Sequence, residues 1–352
     1  MASVTDLASL FDMLTRHQVY LEGVKLWQAR KFNGVMRELD KEFRDLFSRL
    51  RYDRLDALTR GKVKSFVREL NEVQWKVYSV YTNSLLRAFR EFMEADYDVS
   101  TFLFETDTDK DIDEAAEDDD GTPIYPWLIG SDDPMKRLWT EVTNSPLPAN
   151  GLLLLPFING FANSAAKSVE NIIMKGYANG DTTAAILAEI VGTKDANFRD
   201  GAFARINAQN SAAIDTALQH VSSVVQAGIA SIFYRRYRWV SVIDSSTTEI
   251  CRSRNGNVYE YGKGPLPPAH IRCRSKTVPV SVGSTPNDDE PRSYYAWIKA
   301  QPAAVQDDVL GSTKAERLRS GKAKANDFAR FDAVNPLSIE EFKGKRSLIV
   351  TG

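Results

Sequence analysis

Cysteine is almost missing from this sequence: its 352 residues include only Cys251 and Cys273. Two thiols cannot build a disulfide framework, so a small secreted scaffold stapled by bridges is excluded. Histidine is nearly as scarce, with His17, His220 and His270, which leaves little material for a histidine-rich metal or acid–base site. Proline does not occur before Pro123, so no residue in the first third forces a helix to stop. The longest apolar run, Gly151 to Ile158, falls well short of the ~20 residues that span a bilayer. The opening MASVTDLASLFDML has neither the basic region nor the apolar core of a signal peptide. A soluble protein, intracellular or associated with a particle, is the expectation. An excess of either charge is also lacking: the net charge is −2 and the pI about 6.1. The chain as a whole carries no electrostatic signature of nucleic-acid or membrane-surface binding. What it does have is an ordinary 43% hydrophobic content, enough for a sizeable core and for two domains or one with long extensions.

Helical periodicity dominates the first hundred residues. Leu7, Leu10, Phe11 and Leu14 form one stripe, and Leu39, Phe43, Leu46, Phe47 and Leu50 a second. Val63, Phe66, Val67, Leu70, Val73 and Val77 form a third, which continues through Val80, Tyr81, Leu85 and Phe89. This spacing predicts long antiparallel helices from about Val4 to Tyr97 with core-facing stripes. Gly34, Gly61 and Tyr52-Asp53 are the candidate turns. The basic residues between the stripes (Arg44, Arg49, Arg51, Arg54, Arg60, Lys62, Lys64, Arg68) are interspersed with acids and read as a solvated face; a strip facing DNA or a partner is the second reading. Glu105 to Asp120 is an acidic block. Asp107, Asp109 and Asp111 begin like a calcium loop, but Ile112 stands where glycine is needed and Asp118 where a bidentate glutamate is needed. A solvated linker is expected instead.

Thr122 to Pro148 reads as loop with short helical turns. Further helices are predicted from Asn159 to Lys175, closed by Gly176; from Thr182 to Val191, capped by Asp181; and from Phe203 to Arg235, with Gly228 a candidate break. Short helices follow at Tyr294–Ala300, Pro302–Leu310 and Thr313–Arg319, and Phe328–Phe342 is apolar enough to pack back. His17 and His220 read as core or surface side chains. The expected fold is α+β and mostly α-helical. A helical domain over 1–104 is followed by an acidic, proline-containing linker over 105–150. A helical domain over 151–352 then carries a small β-hairpin and Cys/His knuckle at 238–279.

That last stretch concentrates the chemistry. Trp239 to Ile243 and Val258 to Tyr261 read as strands, and Asn255-Gly256 is a tight-turn signal because both residues tolerate positive φ. Gly264, Pro265, Pro267 and Pro268 impose an irregular path, after which His270 and Cys273 follow at metal-knuckle spacing. Cys251, His270 and Cys273 are candidate ligands for a structural zinc ion, with Asp244 or a water completing a tetrahedron. A disulfide between the cysteines, or plain packing of two reduced thiols, are the alternatives. A metal-dependent nuclease centre can be drawn from Asp244, Glu249 and His270, and a nucleophilic pair from Cys251 and His270. The first has one histidine and no second one nearby, the second has no third orienting group, and Ser245, Ser246, Thr247 and Thr248 fit an Asp-led turn better than a ligand set.

The run Trp239-Val240-Ser241-Val242-Ile243-Asp244, then Thr247 and Cys251, then Asn255-Gly256, Pro267-Pro268-Ala269-His270 and Cys273-Arg274, resembles the C-terminal domain of the phage Mu F-like minor head proteins, also called phage head morphogenesis proteins. The preceding Ala204, Arg205, Ala208 and Asn210 fit the same pattern, as do Gln301-Pro302, Asp308 to Gly311, and Gly321, so the likeness spans roughly Asn159 to Phe342. One position departs: Thr248 stands where the family often has the first cysteine of a Cys-x-x-Cys pair, which leaves a four-ligand site incomplete. The resemblance implies a structural virion protein rather than an enzyme, located in the capsid interior near the portal vertex and in the host cytoplasm during assembly. The portal protein would be its partner, the major capsid or scaffolding protein and phage DNA further candidates, and no membrane is involved. Its implied role is support of procapsid assembly and DNA packaging or delivery.

Overall fold

The computed structural model describes residues 4–106, 121, 133–242, 247–280, 294–323 and 338–344. The fold is α+β and mostly helical. Helix α1 (Val4–Arg49) and helix α2 (Arg60–Thr106) run 46 and 47 residues, about 70 Å each at 1.5 Å per residue. Between them a 3₁₀ turn (Leu55–Ala57) buries Leu55. The arginines on their outer faces behave as a solvated face does: Arg44 pairs with the half-buried Asp40 and Arg49 with Asp45 at i,i+4 spacing, both arginines exposed. Such pairs contribute only about 0.3–0.5 kcal/mol each.

The chain divides into two compact units that interleave in sequence. One is Gln28–Ala88 with Leu155–Ile214; the other is Met1–Trp27, Phe89–Leu154 and Asp215–Gly352. This is a different division from the consecutive segments 1–104, 105–150 and 151–352. Helices of this length are too long for one hydrophobic core, so different stretches of α1 and α2 serve different cores.

In the first unit, parts of α1 and α2 pack with helix α4 (Leu154–Asn179), helix α5 (Thr183–Val191) and the start of helix α6 (Ala202–Ala230). Aromatic contacts fix the packing: Phe32 meets Phe161 edge-on at 5.5 Å and Phe47 meets Phe66 at 5.0 Å. Gly34 does not break α1. One glycine costs a helix about 1 kcal/mol, less than the burial of Phe32 and Met36 beside it returns. Gly176 likewise lies inside α4 rather than at its end. A Cβ there would come within 2.4 Å of Ile186, so its job is to let α5 approach. Thr182, not Asp181, caps α5, its hydroxyl accepting from Ala185 N. Val80, read into the apolar stripe, is 68% exposed; Val77, Tyr78 and Tyr81 carry the buried side of that turn.

In the second unit α6 is the axis. Every residue from Thr216 to Ala230 is buried, Gly228 included, and its alanines permit close neighbours. Helix α3 (Pro134–Asn144) lies where short helical turns were expected. Strand β1 (Arg236–Val240) pairs antiparallel with β2 (Val258–Glu260) on one side and β3 (Lys276–Val280) on the other. Helix α7 (Glu249–Arg254) sits between β1 and β2 in sequence. Four short helices follow: α8 (Tyr294–Ala300), α9 (Ala303–Leu310), α10 (Ser312–Arg319) and α11 (Ile339–Gly344). Trp297 of α8 donates its indole N–H to Asp12 of α1 at 2.6 Å. Phe342 of α11 packs on Phe92 and edge-on to His17. No helix among the described residues is long and apolar enough to cross a membrane.

Two histidines are buried in this unit. Gln226 donates to His17 Nδ1, so the ring's Nε2–H points at Asp96. His220 Nε2 donates to the Val142 carbonyl at 3.1 Å, and burial pushes its pKa down to about 4. The folded protein therefore refuses a proton that the unfolded chain takes up near pH 6.5. Stability is lost as the pH falls through the window from 6.5 to 4, by about 3 kcal/mol over the full span. Urea denaturation at pH 7 and pH 4.5 should show that His220→Gln flattens this slope relative to the parent. Parallel pH profiles for the two proteins would refute the assignment.

Candidate metal centre

The knuckle is built by bringing β1, α7 and the loop before β3 onto one indole ring. Trp239 is fully buried and packs against Cys251 and Cys273, with Tyr259 and Ala269 at the edge. On α7, Cys251 is the buried residue, while Glu249, Ile250, Arg252 and Ser253 face solvent. Asn255 N donates to the Cys251 carbonyl and ends that helix. Gly256, at φ 83°, then turns the chain so that its N–H meets Trp239 O at 2.8 Å and Asn257 O accepts from Trp239 N. The Asn255-Gly256 turn thus exists, but it does not join two strands of a simple hairpin. It closes α7 and starts the pairing of β2. The strand expected at Trp239–Ile243 begins earlier, at Arg236, because Tyr237 and Trp239 are its inward residues.

A hydroxyl holds the inside of the knuckle together. Ser241 Oγ accepts from Trp239 Nε1, donates to the Cys251 carbonyl, and lies 2.9 Å from Ser275 Oγ. Ser275 Oγ in turn reaches Cys251 Sγ at 3.3 Å. Asn255 Oδ1 accepts from Ser241 N. The loop carrying His270 and Cys273 is anchored to α6: Arg272 N donates to Thr216 Oγ1, and Gln219 Nε2 donates to the Ser275 carbonyl. Ser241 and Ser275 are the site residues that motif reading passes over. The available signal for Ser241 was a hydroxyl in otherwise apolar strand-like text; Ser275, between Arg274 and Lys276, had none.

Cys251, His270 and Cys273 converge as the spacing suggests, with their ligand atoms all within 4.8 Å of one another. Cys251 Sγ lies 3.1 Å from His270 Nε2 and 3.7 Å from Cys273 Sγ. Both thiols are free, so no disulfide staples the knuckle. His270 Nδ1 sits 2.8 Å from the Ile271 carbonyl. A carbonyl only accepts, so Nδ1 carries the proton and Nε2 presents its lone pair to the sulfurs, the arrangement that orients a metal-binding imidazole. Hydrogen bonding from the Cys251 thiol holds Cys273 well below its usual pKa. Sharing that hydrogen bond, together with burial, pushes Cys251 up, and the Cys273 sulfur raises His270. This trio could hold a metal ion. Asp244, the suggested fourth ligand, lies outside the described residues, as do Ser245 and Ser246. Glu249 is exposed and does not join the group. Thr248 Oγ1 is buried beside Cys251 with no oxygen or nitrogen partner.

No protein-family model, curated protein or solved structure matches the chain.

Ser241→Ala leaves Trp239 Nε1 unpaired in a buried site and removes one of the two hydrogen bonds to the Cys251 carbonyl, which costs about 1–3 kcal/mol. Chemical denaturation should show a lowered midpoint with an unchanged slope. A midpoint equal to the parent's would mean that the hydroxyl does not hold the knuckle.

Proposed function

We propose that this chain is a structural minor head protein of a tailed phage. It acts near the portal vertex in the capsid interior, supports procapsid assembly and DNA packaging or delivery, and is not an enzyme. The observation that carries this reading is the convergence of Trp239, Cys251, Asn255-Gly256, His270 and Cys273, the residues of the family resemblance, into one small module. Each has a shape-holding task there: indole core, thiol and imidazole cluster, helix stop. The nuclease reading draws no comparable support. Glu249 is exposed on α7, and His270 directs its one free nitrogen at a sulfur rather than at a solvent-filled pocket.

The ion that suits the cluster best is zinc. With Zn–S bonds of about 2.3 Å, two thiolates at tetrahedral corners stand about 3.8 Å apart, against 3.7 Å between Cys251 and Cys273. Cys251, Cys273 and His270 Nε2 would supply three corners. A water beside Thr248 suits the fourth.

Co-expression with the portal protein of the same genome tests the function. The chain should co-sediment with portal rings and decorate them in negative stain, without cleaving DNA in Mg²⁺. Folded protein that ignores the rings, or Mg²⁺-dependent cleavage lost in His270→Ala, would overturn the proposal. Elemental analysis tests the ion. About one zinc per chain is expected, lost in Cys273→Ala together with several degrees of melting temperature. Protein purified without metal whose melting is unmoved by added zinc would exclude it.

A further inference from the structure

The unit formed by Gln28–Ala88 and Leu155–Ile214 carries an open cavity of about 420 Å³ between α1, α6 and the loop after α5. Its size lies within the range of small-ligand sites. Two arginines line it, Arg37 from α1 and Arg199 from the loop. Both side chains are exposed, and neither makes an ion pair or hydrogen bond among the described residues. Asp40 also lines the cavity, but its carboxylate is already engaged by Arg44 at 2.8 Å. The opening therefore sets two guanidinium groups against one carboxylate that is ion-paired with Arg44, a net positive lining that suits a phosphate.

An aromatic ring stands at the same opening. Phe198 is 45% exposed, and the loop keeps it there against its own conformational preference. Asn197 and Phe198 are consecutive residues at φ 50° and 58°, the left-handed region that bulky side chains avoid. The loop is clamped in that shape by Asp200, which accepts from Thr193 N and Oγ1 at 2.8 and 2.7 Å, and by Phe198 N donating to Thr193 O. Beneath it, Met36 and Phe203 form a buried apolar floor.

The remaining polar groups are paired amides. Asn207 Nδ2 donates to Asn33 Oδ1 at 3.1 Å. This leaves the Asn33 amino group as a donor and the Asn207 carbonyl as an acceptor on two linked amides. A donor next to an acceptor is the complement of a base edge.

We propose that this cavity binds a nucleotide. The base stacks on Phe198 over the apolar floor, its edge meets Asn33 and Asn207, and the phosphate is held by Arg37 and Arg199. The ligand is either a free mononucleotide or one unpaired nucleotide of a single strand; bases stacked within a duplex cannot enter. This inference does not depend on the head-protein reading.

The test uses the full chain, with fluorescence anisotropy of a labelled ten-nucleotide single strand and calorimetry with AMP. Binding of at least one probe in the micromolar to millimolar range is expected. Arg37→Ala combined with Arg199→Ala should weaken it more than tenfold. For the strand, the same pair should flatten the slope of log affinity against log salt by about 0.7, the value for the one phosphate they hold. Phe198→Ala should weaken binding about tenfold, whereas Arg90→Ala, outside the cavity and paired with Glu94, should leave it unchanged. Tighter binding of the strand than of AMP assigns the site to single strands, and equal binding assigns it to free nucleotides. Failure of both probes to bind folded protein overturns the proposal, as does binding that Arg90→Ala weakens as much as the double variant. All four positions are solvent-exposed, so circular dichroism should be unchanged throughout.

Discussion

One buried oxygen, Ser241 Oγ, is the point on which the knuckle depends. It links Trp239 in the strand, the Cys251 carbonyl in the short helix and Ser275 in the returning loop. Three segments distant in sequence thereby share one hydroxyl. The module between Arg236 and Val280 is too small to close a hydrophobic core of its own, and little apolar surface is available beyond Trp239 and its tyrosines. Polar cross-links replace that missing area, and they hold only if every member is satisfied. The exterior of the module is correspondingly sparse, with Ile250, Val258 and Ile271 all exposed.

The same economy continues inward along α6. Gln219 donates to the Ser275 carbonyl and accepts from both Gln18 and Lys25 of α1, and Lys25 also holds Glu22. Lys276 of β3 is buried, directs its ammonium at Thr15 and sits 4.7 Å from the Phe11 ring; burial drives its pKa well down. Asp215 beside this network is pushed up to about 6, chiefly by burial. Such groups add little net stability over an apolar core of the same volume. What they impose is a register: a one-turn slip of α6 would strand Gln219, His220 and Gln226 together, each with a buried polar group unpaired. We therefore read α6 as a helix positioned by hydrogen bonds and cushioned by alanine, with the knuckle loop as one of the things it positions.

Much of this was legible from residue order. The 3.6-residue apolar spacing gave the long helices, the closing role of Gly311 after α9 was readable from its place, and the approach of Cys251, His270 and Cys273 followed from their clustering. What sequence could not weigh was context. Gly34, Gly176 and Gly228 look alike as letters, yet all three lie inside helices, because tertiary packing on either side outweighs a ~1 kcal/mol propensity cost. The Asn255-Gly256 pair was read as a hairpin because nothing local revealed that α7 would form between the strands. The split of each long helix between two cores depends on partners far along the chain. Asn33, Arg37, Phe198, Arg199 and Asn207 share no motif at all; only folding brings them to one opening.

The chemistry of the cluster follows from proton positions. Hydrogen bonding from Cys251 draws the Cys273 pKa down, sharing that bond and burial push Cys251 up, and the Cys273 sulfur raises His270. A divalent ion needs both sulfurs as thiolates and the imidazole neutral. Binding such an ion would therefore release protons from the group, with Nδ1 fixed on the Ile271 carbonyl and the sulfurs 3.7 Å apart. Here Ser241, Trp239 and the α6 anchors carry the fold, and the ion would lock it. The shape of the knuckle therefore rests on its hydrogen bonds and its indole core, with the thiols and the imidazole gathered inside them.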